Sequence, residues 1–155
     1  MKKLILIVLS LAMLLSLCAC GGGTDTPKND DTTPAMTKDE MLEQAEEVNA
    51  SQLNNDCFDN LAKAKQTYSD KVIITKAYVY MVNEDHVVLG CSTSSGAQVC
   101  IAAYMPVDDL VQIESSSVIT VVGLVSDIED RDFDWGGMTV NYPHYIMDTA
   151  YLVTE

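Results

Sequence analysis

Asp130, Asp132 and Asp134 stand on alternate residues and form the densest chemically useful cluster in the chain. They lie in the acidic, Gly-containing segment from Asp127 to Asn141, and such alternation is how Ca²⁺ loops supply several hard oxygen ligands. An EF-hand loop counted from Asp130 needs Gly at its sixth place and Glu at its twelfth, where this chain has Trp135 and Asn141. A solvated loop between two strands is the plainer reading. Tyr78 and Tyr80 fall on one face of a β-patterned run, opposite Ile73, Thr75, Ala77 and Val79. With the latter set in a core, the tyrosines face outward, and with Trp135 they could stack on a sugar, a side chain or a base. The alternative is that a helix lies across them. His86 stands beside a turn and His144 in Tyr142-Pro143-His144-Tyr145, neither next to a recognisable nucleophile. With no Gly-x-Ser-x-Gly, P-loop or His-Glu-x-x-His, the chain reads as a non-enzyme with no cofactor beyond that calcium option.

Cysteines add one option. The spacing of Cys57, Cys91 and Cys100 matches no zinc pattern. Cys57 lies mid-stripe on an amphipathic helix and reads as a buried thiol. Centring a hairpin turn between Ser95 and Gly96 sets Cys91 opposite Cys100, within disulfide reach. Both are also reasonable free core residues.

The elements that must position these side chains follow from patterning. Thr37-Lys38-Asp39-Glu40 is a capping box, which predicts a helix start. Met41, Leu42, Ala45 and Val48 share a face; after a break near Asn49, Leu53, Cys57, Leu61, Ala64 and Tyr68 continue at helical spacing. From Lys71 the pattern is β. Strands are predicted at 71–82, 86–92, 98–105, 117–128 and 145–153, with a short helix over 107–113. Val72 to Val79 can be laid over Val118 to Val125, each a long apolar strand with a small residue, Ala77 or Gly123, in its middle. Small residues there mark bends or bulges, which two strands need if each is to serve both halves of a small five-stranded barrel.

Charge narrows the partners. The chain has 9 Lys+Arg against 23 Asp+Glu, a formal net charge of −14. From residue 71 onward the only basic residues are Lys71, Lys76 and Arg131. Nucleic-acid binding must neutralise phosphates with Lys and Arg, so no nucleic-acid partner is expected.

The run Asn60-Leu61-Ala62-Lys63-Ala64-Lys65-Gln66-Thr67-Tyr68-Ser69-Asp70-Lys71, with the strand after it and Val118 to Val125, resembles the bacterial tRNA-anticodon-binding-like (tRNA_anti-like) family, common in small lipoproteins. That resemblance, from about residue 45 onward, implies a mainly β chain: a five-stranded OB-fold barrel preceded by an N-terminal amphipathic helix. Ala77 replaces a usual glycine, and Ser115-Ser116-Ser117 a usual Gly-polar pair. Fold does not fix function, and the acidity argues against inheriting RNA binding.

The N-terminus gives an address. Lys2 and Lys3 precede an apolar run from Leu4 to Leu17, then Leu17-Cys18-Ala19-Cys20-Gly21. This resembles a bacterial lipoprotein signal peptide. Cys20 has small Ala19 before it and aliphatic Leu17 three before it, whereas Cys18 follows bulky Leu17, so Cys20 is the expected lipidation site. The expected organisation is a signal peptide over 1–19, a lipid-anchored flexible linker over 20–36, and a helix plus OB-fold domain over 37–155. The linker's Gly, Thr, Asp and Pro would hold the domain roughly 20–25 Å from the membrane. The expectation is therefore an extracytoplasmic OB-fold binding module, anchored to the bacterial cell membrane through Cys20, that meets an envelope protein or a small ligand through Tyr78, Tyr80 and Trp135. The alternative is a structural or assembly subunit of a cell-envelope complex without a small-molecule site; a calcium-binding module or an enzyme ranks below both.

Overall fold

The computed structural model describes residues 35–92, 98–135 and 137–154, with Trp135 described in its backbone alone. Its elements, in order, are α1 (Lys38–Gln44), β1 (Glu46–Glu47), α2 (Ala50–Asp59), α3 (Leu61–Tyr68), β2 (Lys71–Val82), β3 (His86–Gly90), β4 (Cys100–Tyr104), α4 (Val107–Leu110), β5 (Val118–Trp135) and β6 (Met138–Val153).

The expected N-terminal helix is divided into three. The Thr37 hydroxyl accepts from the Glu40 N–H while the Glu40 carboxylate accepts from the Thr37 N–H, so the capping box starts α1 as predicted. Asn49 caps α2 through the Ser51 N–H, which accounts for the first break. Asn60 makes a second, unpredicted break: it ends α2 in extended geometry, and its side chain accepts from the Lys63 N–H to start α3. Asparagine offers the backbone a local partner that competes with continuing the helix.

β2 pairs antiparallel with β3 at its C-terminal half and with β5 over Lys71–Tyr78; β3 pairs with β4, β4 pairs parallel with β6, and β6 returns to β5. The hydrogen bonding thus runs round a ring, β2-β3-β4-β6-β5 and back to β2, with β1 added parallel to β2. Register shifts between Val79 and Met81 and between Leu124 and Asp127 let the two long strands bend, as bulges do.

Alternation decides what lies inside. Ile73, Ala77 and Val79 of β2, Val87 and Leu89 of β3, Ile101 and Ala103 of β4, and Tyr145 and Met147 of β6 share one buried core. Leu53, Cys57, Ala64 and Tyr68 of α2 and α3 belong to the same core. Tyr145 pins this helical lid: its hydroxyl donates to the Leu53 carbonyl at 2.9 Å, and its ring meets Tyr68 edge-on at 5.7 Å. α1 packs Met41 instead on the outer side, against Val72 and Val122.

Cys91 and Cys100 do not form the disulfide considered above. Gly90, not Cys91, is the partner of Cys100, and the Cys91 N–H bonds to the Val99 carbonyl. A register slipped by one residue puts side chains on opposite faces of a sheet. Cys91 accordingly joins the inner core, Cys100 packs with Val88 and Phe133 on the outer side, and both thiols are free.

Candidate functional site

The segment read as a loop over 127–141 is instead a two-stranded arm. β5 continues to Trp135 and β6 begins at Met138, with paired residues from Asp127↔Ile146 to Trp135↔Met138. Its inner side folds onto the outer face of β3 and β4: Phe133 packs on Val88 and Cys100, and Arg131 Nη1 donates to the Tyr104 hydroxyl at 3.1 Å. Between arm and sheet lies a groove of about 250 Å³, floored by Val88, Ala102 and Tyr104, closed at one end by Asn83 and His86, and walled by Arg131, Phe133 and His144.

The groove's polar groups are held in fixed orientations. His86 opposes Tyr104 across the β3–β4 ladder, and their rings lie 4.8 Å apart at 31°. The Asn83 amide nitrogen lies 2.9 Å from His86 Nε2, and His86 Nδ1 lies 2.7 Å from an Asp85 carboxylate oxygen. An amide nitrogen only donates, so Nε2 accepts and Nδ1–H donates to Asp85. That hydrogen bond holds the Asp85 carboxyl below the usual carboxylate range. Arg131 Nε donates to Glu129 at 2.8 Å, so the one guanidinium at the groove is matched by a carboxylate. His144 is 3% exposed, and its Nδ1 lies 2.8 Å from the Tyr142 carbonyl. A carbonyl only accepts, so Nδ1 carries the proton. Burial pushes the His144 imidazole below its ordinary pKa and keeps it neutral near pH 7.

The residues singled out from sequence fall in different places. Tyr78 and Tyr80 are half-buried on the outer side of β2, their rings 5.5 Å apart and edge-on. The arm reaches Tyr80, which meets Phe133 at 6.0 Å and packs against the cluster of Val88 and Cys100. The Trp135 side chain, and Cys20 with the whole N-terminal signal, lie outside the described residues. Asp130, Asp132 and Asp134 are exposed along one side of β5. Alternate residues of a strand are about 6.6 Å apart, so the three span about 13 Å and cannot converge on an ion that needs oxygens within about 2.6 Å. Asp132 instead accepts from the Asn141 amide, and Asp134 from the Gly137 N–H at the hairpin turn. Among the described residues no three His, Cys, Asp or Glu side chains are gathered to hold a metal.

Sequence patterning does not single out Tyr104 or Arg131, and it offers the two histidines only as catalysts. Period-two alternation does put His86, Val88, Ala102 and Tyr104 on one outward face; reading residues 127–141 as a loop concealed that Arg131 and Phe133 come over it.

A larger cleft of about 730 Å³ lies between the β1–α2 junction and β2, lined by Glu47, Asn49, Gln52, Thr75, Lys76 and Thr120 among others. It contains no aromatic ring, and the Thr75 hydroxyl, buried and unpartnered, is sealed from solvent. The smaller groove, with fixed polar groups beside a tilted ring pair, is the better-built site. Among the described residues no helix is long and apolar enough to cross a membrane.

No protein-family model matches the chain, and no curated protein matches it. The chain is similar to a solved structure of a Leishmania major Friedlin protein described as an aspartyl-tRNA synthetase, with a TM-score of 0.40 and 13% identity over 96% of this chain. It spans about a quarter, 26%, of that protein's length.

Proposed function

We propose that the protein is a lipid-anchored, extracytoplasmic OB-fold binding module that engages its ligand in the groove between the arm and β3–β4. The observation that carries this reading is the groove's position. In the order β2-β3-β4-β6-β5, the groove lies over the second and third strands, between the first-to-second turn at Asn83–Asp85 and the fourth-to-fifth hairpin at the arm. OB folds bind on that face, framed by those two connections. The closed pairing circuit and the parallel β4–β6 contact support the OB assignment itself. The signal-like N-terminus ending at Ala19-Cys20 supports anchoring through Cys20.

Two experiments test the reading. In the native bacterium, Cys20→Ser should remove incorporated fatty acid and Cys18→Ser should retain it; the opposite result refutes the anchor assignment. A photo-crosslinking residue at Met81, on the groove, should capture a discrete product in intact cells, and one at exposed Phe58 on α2 should not. Capture at Phe58 alone would favour a structural subunit that docks through its helical lid.

A further inference from the structure

The most buried polar residue of the groove is His144. With Nδ1–H donated to Tyr142 and the ring neutral, Nε2 carries a lone pair. That nitrogen has no hydrogen-bond partner among the described residues. The side-chain atom that is both unpartnered and sealed from solvent there is Thr75 Oγ1, so His144 Nε2 opens into the groove it lines. An acceptor on a side chain 3% exposed is poorly hydrated, and an arriving N–H or O–H would satisfy it.

The surroundings define the rest of the ligand. His86 and Tyr104 present a tilted ring pair, and Val88, Ala102 and Phe133 add apolar surface. The volume of about 250 Å³ falls below the roughly 300–1,000 Å³ usual for whole small molecules and suits a single large side chain. Asp85, Glu129, Asp132 and Asp134 surround the groove and Arg131 is already matched by Glu129, so a phosphate or carboxylate would be repelled. Buried aromatic side chains with a polar tip are the common anchors of protein interfaces.

We propose that the groove takes the indole or phenol ring of a Trp or Tyr side chain on a partner polypeptide, its N–H or O–H donated to His144 Nε2 and its ring against His86 and Tyr104. This rests on the groove being the binding face, and the experiment separates the two. Met81 lines the groove and Met41 is buried beneath α1, so methyl-labelled methionine in the full-length protein in detergent supplies a reporter and a folding control. N-acetyltryptophanamide and N-acetyltyrosinamide should shift Met81 saturably and leave Met41 unmoved. N-acetylphenylalaninamide, which has the ring without the side-chain donor, should bind about tenfold more weakly or worse. His144→Leu should bring the first two probes to the level of the third, and His144→Gln, which keeps an acceptor oxygen, should restore part of the difference. Equal binding of all three amides would overturn the proposal. Adenosine or chitotriose shifting Met81 where the amides do not would overturn it while leaving the groove as the binding face. If no probe moves Met81, the binding-face reading falls as well.

Discussion

Gly90→Ala tests whether the arm is seated by the packing described above. Gly90 lies on β3 beneath the Tyr80 ring. A Cβ there would sit 2.7 Å from Tyr80 Cζ, 2.8 Å from its hydroxyl oxygen and 2.9 Å from Cε2. Carbon contacts settle near 3.5–4.0 Å, so the ring must retreat by about 1 Å. Gly90 does not occupy the left-handed region, so alanine fits the backbone and should by itself stabilise by about 0.4–1 kcal/mol through the unfolded chain. Against that stands the displaced ring, which meets Tyr78 at 5.5 Å and Phe133 at 6.0 Å. Overpacking of this kind costs about 1–3 kcal/mol, and a lost aromatic pair about 0.5–1.5 kcal/mol. The packing loss is the larger effect, so a net destabilisation of about 1–2 kcal/mol is expected, a fall of several degrees in Tm. The assay is denaturant unfolding of the wild type, Gly90→Ala, Tyr80→Ala and the double variant. With Tyr80 truncated, Gly90→Ala should become neutral or mildly stabilising. An undiminished cost in that background would put the strain in the backbone and refute the seating argument; so would a neutral Gly90→Ala in the wild type.

Gly123→Ala should be harsher, about 2–3 kcal/mol by the same denaturant assay, because the new Cβ meets Met147 Sδ at 2.7 Å, Ala150 Cβ at 3.0 Å and the Thr149 carbonyl at 3.1 Å, and backbone yields less than a ring does. His144 is held neutral by burial, so between its unfolded pKa of about 6.5 and its lower folded value the unfolded chain binds the extra proton. Its contribution is therefore complete above about pH 6.5 and is lost as the pH falls toward the folded value; Tm measured against pH should fall less over that window in His144→Gln. Denatured protein should titrate free thiols at Cys57, Cys91 and Cys100 even after mild oxidation, and the native protein should react slowly, since burial pushes Cys57 up to about 11 and Cys100 to about 12.

Strand positions were legible wherever one face had to be buried. Lys71–Val82 is bounded as predicted because Ile73, Ala77 and Val79 alternate inward and Asn83-Glu84-Asp85 cannot extend the strand. Helix continuity was less legible, since Asn60 acts as a cap only through the conformation its neighbours allow. Register was not legible at all between β3 and β4. The spacing fits two pairings of these strands one residue apart, and β3 and β4 take the one that sends Cys91 inward and Cys100 outward. The site suffered from a different ambiguity. Asp127 to Asn141 has the polarity of a loop, yet its apolar and polar residues alternate in a strand's period.

That alternation explains how one acidic segment serves two surfaces. Along β5, Arg131 and Phe133 reach the sheet while Asp130, Asp132 and Asp134 stay exposed, the last two at the groove's edge, so the arm can lay an apolar ring and a cation on β3–β4 and still present carboxylates to water. The two adjacent register shifts between Leu124 and Asp127 make this compatible with the rest of the strand. Before them, β5 is shared between β2 and β6 and buries Val121 and Val125 in the core; after them, the strand pairs with β6 alone and is free to cross the outer face. A bulge adds one residue and tightens the local twist, so it both redirects the chain and resets which residues point inward. Without that reset the alternation of the first half would carry on unchanged and the faces beyond Asp127 would exchange, setting aspartates against Val88 and Cys100 and Phe133 in water. The groove thus follows from two adjacent register shifts, at Leu124/Val125 and Val125/Asp127, which bring the arm over His86 at the turn and His144 of β6.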